Sequence, residues 1–375
     1  MYIIKYYKAL PFERILFYSC LLVSLLVVVS NVTNPTLDGP AHLYNAQIIN
    51  YLIHGNKFIS NYYTLNKVPV ANLTDHYLLA LFLNFFSWQA AEKIIDILYL
   101  LSFSLLFRML IRQWNSSNIG LSIFAIPFSF SYMYYIGFYN FCLSFPLLFG
   151  IIIYYRKHFS DIGHVPSLKK YSILCLLFTL IYFTNGLAFL FVGLVLVSYE
   201  IFLLIPLFST KISIEKRVVL KRLLFFFLVG VPGLLFFIVF LHKVPVHSGK
   251  GSLSFSELMH WIYITRPLFA YALTEYKYPQ CFFYLITVAL LIAIYYRVKK
   301  KDKIAFNSSD VLLFLSVITL FIYLITADDA SVGMMSVRLC YFFFIFLLLW
   351  IASQQGSKIV TWIISVLAIA FISPY

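Results

Sequence analysis

Long apolar runs recur from Ile15 to Ile372, parted by short polar gaps, and few charges interrupt them. A bilayer core about 30 Å thick takes roughly 20 apolar residues per helical crossing, so this pattern commits most of the chain to lipid. Composition agrees. The 375 residues are 62% hydrophobic and 11% charged, whereas soluble domains carry about 25% charged residues. A water-soluble globule of this make-up could not coat its own surface. The formal charge of +14 would suit nucleic acid, but the basic residues sit in clusters between apolar runs, and nucleic acid is excluded as a partner.

Most of the 28 basic residues fall into alternate gaps: between Lys5 and Arg14, at Arg108 and Arg112, from Arg156 to Lys170, from Lys211 to Arg222, from Arg297 to Lys303, and at Lys358. The positive-inside bias assigns these to the cytoplasm, together with the N-terminus. Alternation then predicts about eleven spans. They are Ile15–Ser30, Ala90–Arg108, Ile119–Ile136, Phe141–Tyr155, Tyr171–Phe183, Leu187–Phe208, Leu223–Leu241, Phe282–Tyr296, Val311–Thr326, Leu339–Ala352 and Val360–Ile372. Ile15–Val29 follows a basic start but no small-x-small cleavage site, so it reads as an uncleaved span. All five cysteines lie in apolar runs and read as buried small hydrophobes.

The fold class is therefore an all-α polytopic transmembrane bundle. A single transmembrane domain is expected over residues 1–375, with a first outer loop at 31–89, a second at 242–279 and no C-terminal soluble domain. Within the first loop, Gly39–His54 reads as a surface helix along the membrane, with Leu43, Ala46, Ile49 and Ile53 on one face and Gly55-Asn56 as its stop. His76–Phe86 is apolar but too short to span and reads as an interfacial helix, as does Leu258–Leu273 in the second loop.

Acidic residues decide little about topology, so outer-side carboxylates point to function. Asp38 lies just after the first span in Thr36-Leu37-Asp38-Gly39-Pro40-Ala41-His42. Two roles are open to it: N-cap of the surface helix, or catalytic acid-base group sharing a face with His42 and Asn45. Asp75-His76 opens the interfacial helix, where Asp75 is either a cap or a ligand. The two acid-plus-His sets could converge to bind a divalent cation or move a proton, with Asp38, His42, Asp75 and His76 as candidate ligands, although no His-x-x-x-His spacing supports a metal. Asp96, inside the second span, is a functional candidate or the partner of Lys93. Asp328-Asp329 closes one outer end, and Arg338 opens the next span, as a snorkelling residue or a bidentate phosphate ligand. Arg266, before Pro267, is a similar candidate.

The order of these features resembles the GT-C membrane glycosyltransferases. The residues that carry the likeness are the Asp38-Gly39-Pro40-Ala41-His42 loop and the helix after it, His76-Tyr77-Leu78-Leu79 leading to Ala90-Ala91-Glu92-Lys93, Gly137-Phe138-Tyr139-Asn140-Phe141, Thr184-Asn185-Gly186, and Arg338 with its Phe-rich span. The resemblance implies a bacterial cytoplasmic (inner) membrane enzyme of the cell envelope. Such an enzyme moves a sugar from a polyprenyl-phosphate donor to a glycan or lipid acceptor at an extracytoplasmic active site. It further implies Asp38 as general base and Arg338 as ligand of the donor phosphate, with His42, Asp75, His76 and Arg266 among the substrate-binding residues. Two other readings stay open. One is a lipid-linked glycan polymerase or ligase working through His247, His260 and Arg266. The other is a transporter or flippase using spans interrupted at Pro127, Pro146 and Pro232. Asn72-Leu73-Thr74 also matches a glycosylation triplet.

Overall fold

The structure, a computed structural model, describes residues 11–33, 36–209, 216–243, 251, 253–269, 273–299, 308–328, 333–356 and 358–372. Among them every regular element is a helix. In chain order the first are α1 (Pro11–Ser30), α2 (Gly39–Ile53), α3 (Lys57–Ser60), α4 (Thr74–Phe82) and α5 (Trp88–Trp114). A 3-10 stretch, Ser116–Phe124, then leads through α6 (Ala125–Ser129) and α7 (Tyr132–Ile136) to α8 (Tyr139–Phe159). The remainder are α9 (Leu168–Thr184), α10 (Gly186–Ser209), α11 (Lys216–Lys243), α12 (Phe255–Tyr263), α13 (Lys277–Lys299), α14 (Asp310–Ile325), α15 (Met335–Ser353) and α16 (Lys358–Ile372).

Among the described residues, seven segments are long and apolar enough to cross a membrane: Phe12–Ser30, Trp88–Trp114, Ser116–Ile136, Gly186–Leu204, Arg217–Lys243, Lys277–Lys299 and Met335–Ser353. The chain is a multi-pass helical membrane protein. Its surface agrees, because Leu224, Phe227, Leu235 and Ile238 of α11 are exposed, which is ordinary only where the solvent is lipid. The other four expected spans fall on α8, α9, α14 and α16. The last three have 17, 16 and 15 residues. Helix α8 has 21 residues but carries Asn140 at one end and Arg156-Lys157 at the other.

The expected span Ile119–Ile136 is not one helix. Just before it, Asn118 takes a non-helical conformation (φ −100°, ψ 15°), and its Nδ2 donates to the carbonyls of Ala352 (3.1 Å) and Gln354 (2.7 Å). The chain leaves the helix again at Phe130 (φ −88°, ψ 51°), just after the α6 turn that contains Pro127. Irregular backbone at membrane depth is tolerated where protein covers it, and 78% of this segment is buried. Pro146 and Pro232, by contrast, lie within α8 and α11 without ending them.

The chain forms two compact units, one of Met1–Ser30, Leu100–Tyr132 and Ser248–Tyr375, the other of Asn31–Tyr99 and Met133–His247. In the first, α15 is the core, with 94% of its span buried. Arg297 of α13 grips Asp310 at the start of α14 through both oxygens, with Nη2 2.6 Å from Oδ2, and Trp350 donates to the same carboxylate. Arg108 of α5 pairs with Glu13 of α1 (Nη2 to Oε2, 2.9 Å). In the second unit, Arg222 of α11 is fully buried, its Nε 2.9 Å from Oε2 of Glu200 on α10. Tyr155 of α8 donates to the other oxygen of Glu200 (2.5 Å), and Arg222 also donates to the carbonyl of Asp161 (2.8 Å). The positive-inside bias assigns all three arginines to the cytoplasmic side. Each is also paired with a carboxylate, because a guanidinium under protein needs one to satisfy it. Each pair joins helix ends that alternation assigns to one side.

Helix α2 buries Ala46 against Leu79 and Ala80 of α4 and Ala91 and Ile95 of α5, flanked by Leu43 and Ile49. Ile53, expected on that face, is exposed, and Gly55 at φ +70° ends the helix. Helix α4 starts at Thr74 and stops at Phe82, not over His76–Phe86. Helix α12 begins three residues before the expected Leu258, at a capping box of Ser254 and Glu257. It ends before Thr265, whose φ is +47°, so Arg266 falls in a short 3-10 turn.

Candidate functional site

The first outer loop is bound to its own unit by backbone. The amides of Leu37 and Asp38 donate to the carbonyls of Tyr135 (3.0 Å) and Ile136 (2.7 Å). This approach requires two glycines. A Cβ on Gly137 (φ +91°) would lie 2.7 Å from the Gly39 nitrogen, and a Cβ on Gly39 would lie 2.1 Å from Oγ1 of Thr36 and 2.9 Å from Oε1 of Glu92. Around Gly39 runs a buried polar chain: Oη of Tyr139 donates to Glu92 Oε1 (2.9 Å) and lies 3.1 Å from Thr36 Oγ1. Asp38 occupies the N-cap position of α2, yet its side chain makes no capping hydrogen bond. The carboxylate is half-exposed and spared from the capping role. His42 follows one turn later, whereas Asn45 is exposed and away from the cluster.

Asp75, in the first turn of α4, is fully buried. Its Oδ1 accepts from the backbone amide of His76 (2.7 Å) and from Nδ2 of Asn140 (2.5 Å), while its own amide donates to Oδ1 of Asn140 (2.9 Å). Its Oδ2 forms an ion-pair contact of 2.5 Å with Nδ1 of His42. The imidazoles of His42 and His76 stack at 4.8 Å and 25°. Burial pulls the His42 pKa down, but the Asp75 carboxylate and the charge of Asp38 outweigh it and leave the group above the usual imidazole value. Burial dominates at His76 and holds it below that value, with Asp75 opposing and His42 adding to the shift.

Asn72 completes the arrangement at φ +63°. Its carbonyl accepts from Asn140 Nδ2 (2.9 Å), and its Oδ1 accepts from Asn185 Nδ2 (2.9 Å). Oδ1 of Asn185 in turn accepts from the amide of Ala188 (2.9 Å). Asn72, the first residue of the glycosylation triplet, is half-buried, and its Oδ1 faces into the unit. Beside α4 lies a cavity of about 570 Å³, lined mainly by Leu73, Tyr77, Leu78, Leu81, Leu180 and Phe183, with Asn66 and Lys67 adding polarity.

Asp38, His42, Asp75 and His76 therefore share one unit, three of them in direct contact. Asp96 is fully buried in the same unit and bonded to Tyr134. Arg266 and Arg338 belong to the other unit. The Arg266 guanidinium lies 4.1 Å over the Tyr132 ring, with Phe269 and Trp261 at 5.0 and 5.5 Å. Arg338 is buried in the first turn of α15, which rules out snorkelling into solvent. Asp328 accepts from the amide of Ser336 (2.9 Å) and so caps that helix. Asp329 and His247 lie outside the described residues, and His260 is exposed.

The sequence places Glu92, Tyr139 and Asn140 only within the motifs of the resemblance and Asn72 only within a glycosylation triplet, and gives none of them a part in this cluster. A signal was present: Asn140 and Asn185 sit at the mouths of apolar runs, where an amide is costly unless it is bonded. Fold and site together define a multi-pass α-helical membrane protein with a buried acid-imidazole cluster at its helix ends. A comparison with protein families, curated proteins and solved structures finds no match.

Proposed function

We propose that this chain is a membrane glycosyltransferase of GT-C type. It moves a sugar from a polyprenyl-phosphate donor to a glycan or lipid acceptor on the outer side of a bacterial cytoplasmic membrane, with about eleven spans and the N-terminus inside. One observation carries the reading. Three motifs far apart in sequence, Asp38-Gly39-Pro40, Gly137-Phe138-Tyr139-Asn140 and Thr184-Asn185-Gly186, interlock around the loop that holds Asp38 and Asp75. Such wiring is needless for a lipid-facing bundle and suits the fixing of a carboxylate.

In the proposed step, Asp38 removes the proton of an acceptor hydroxyl as its oxygen attacks the anomeric carbon. The bond from that carbon to the donor phosphate oxygen breaks, and the lipid phosphate leaves with the electron pair. Arg338, with Arg266, is assigned to that phosphate charge. The left-handed backbone at Asn72, Thr265 and Met334 supports the assignment, since strained residues concentrate near functional groups and these lie within four positions of Asp75, Arg266 and Arg338.

The test is transfer from a polyprenyl-phosphate-linked sugar in proteoliposomes. Asp38→Asn is expected to lower turnover by about 10²–10⁴-fold with an unchanged elution profile in detergent. Full activity in that variant would remove Asp38 as the base.

A second reading, a transporter or flippase, is favoured by the interrupted segment Ser116–Ile136. Movement of labelled lipid-linked sugar across the bilayer without a covalent product would select it.

A further inference from the structure

Three side chains at the α2–α4 contact converge as metal ligands do. Asp75 is 0% exposed, its Oδ1 is already used by Asn140 and the His76 amide, and its Oδ2 is turned to the His42 imidazole. His76 Nε2 is a buried atom without a hydrogen-bond partner. One ligand atom from each residue lies within 4.8 Å of those of the other two. Nδ1 of His42 and Oδ2 of Asp75 approach to 2.5 Å, closer than an ordinary N–H···O hydrogen bond, and a cation shared between them relieves that crowding.

We propose that His42, Asp75 and His76 bind a first-row divalent cation of the zinc class, with His42 using Nδ1 and Asp75 using Oδ2. Two imidazoles and one carboxylate form a borderline donor set that selects such ions over magnesium or calcium. Zinc bonds to nitrogen and oxygen are about 2.0–2.1 Å, which places tetrahedral ligand atoms about 3.3 Å apart. The short His42–Asp75 approach opens and the widest separation closes by rotation of the two rings. The carboxylate is already held for the task, because Asn140 and the His76 amide fix Oδ1 and present Oδ2, the arrangement that supports metal ligands from behind. Three protein ligands leave a coordination position open, one helical turn from Asp38. The proposal goes beyond the transferase reading and does not depend on it.

The experiment is zinc titration of the full-length protein, purified in detergent and stripped with a chelator, with bound metal counted by mass spectrometry. The wild type is expected to take up one zinc per chain in the presence of excess magnesium. His42→Ala and His76→Ala should each weaken binding at least about 10- to 100-fold, and Asn140→Ala about 10-fold or more. His260→Ala should bind as the wild type does. Asp75→Asn is the sharpest variant, but it disturbs a buried group; the two histidine variants, at partly exposed positions, keep the test decisive if it fails to fold. Failure of the folded wild type to bind one zinc overturns the proposal, as does unchanged affinity in both histidine variants. Asp38→Asn is expected to keep its zinc while losing transfer, so the two readings fail separately.

Discussion

At the scale of single residues, the site rests on absences of side chain as much as on reactive groups. Gly137 combines a φ of +91° with a contact in which a Cβ would lie 2.7 Å from the Gly39 nitrogen. Gly137→Ala is expected to cost roughly 1–3 kcal/mol from backbone strain alone, read as a lowered thermal midpoint in detergent. Gly150, where a Cβ meets nothing within 4 Å, is the control: Gly150→Ala should be neutral or mildly stabilising within α8. Asp38 was legible as a candidate, because an acid after the first span stands out against so much apolar sequence. Its freedom from capping was not legible, since only φ, ψ and the hydrogen bonds of the α2 start distinguish a capping aspartate from a spare one. The partners of Asp75 were hidden for another reason: Asn140 is 65 positions away, and no local pattern announces a long-range hydrogen bond.

At the scale of elements, apolar runs announced helices well, because lipid demands internally bonded backbone wherever it replaces water. Continuity was less visible. The apolar composition of Ile119–Ile136 is satisfied equally by a straight helix and by a buried broken one, and the break falls at Phe130, just after the turn that contains Pro127. The start of α12 was readable in Ser254 and Glu257 and was missed because the apolar run begins later. Packing between elements also holds ion pairs that charge counting treats as surface. Helices α10 and α11 are joined through Glu200 and Arg222, both buried. Arg222→Met should destabilise the protein by about 3–5 kcal/mol by stranding the carboxylate. Glu200→Met combined with Arg222→Met should recover part of that loss in the same thermal measurement. Equal loss in the single and double variants would show that the contacts of Arg222 to the carbonyls of Phe159 and Asp161, and not the ion pair, hold the elements together.

At the scale of the whole molecule, the topology makes a parity prediction. Asn61 and Gly163 are both exposed, and the proposed path between them crosses the membrane through α5, the interrupted segment and α8. An impermeant thiol reagent applied to intact cells should label Asn61→Cys and spare Gly163→Cys, with both labelled after permeabilisation. Labelling of both from outside would remove one crossing and with it the eleven-span count. The interlock of Gly39 with Gly137 and of Asn72 with Asn140 and Asn185 has a consequence for descent. The surrounding helices need only stay greasy, so their residues are free to exchange among Leu, Ile, Phe and Val over time, and overall identity erodes quickly. The glycines and asparagines meet backbone or buried polar side chains directly and tolerate no such exchange. Kinship to this chain is therefore expected to survive as a sparse, widely spaced set of positions that change together or not at all.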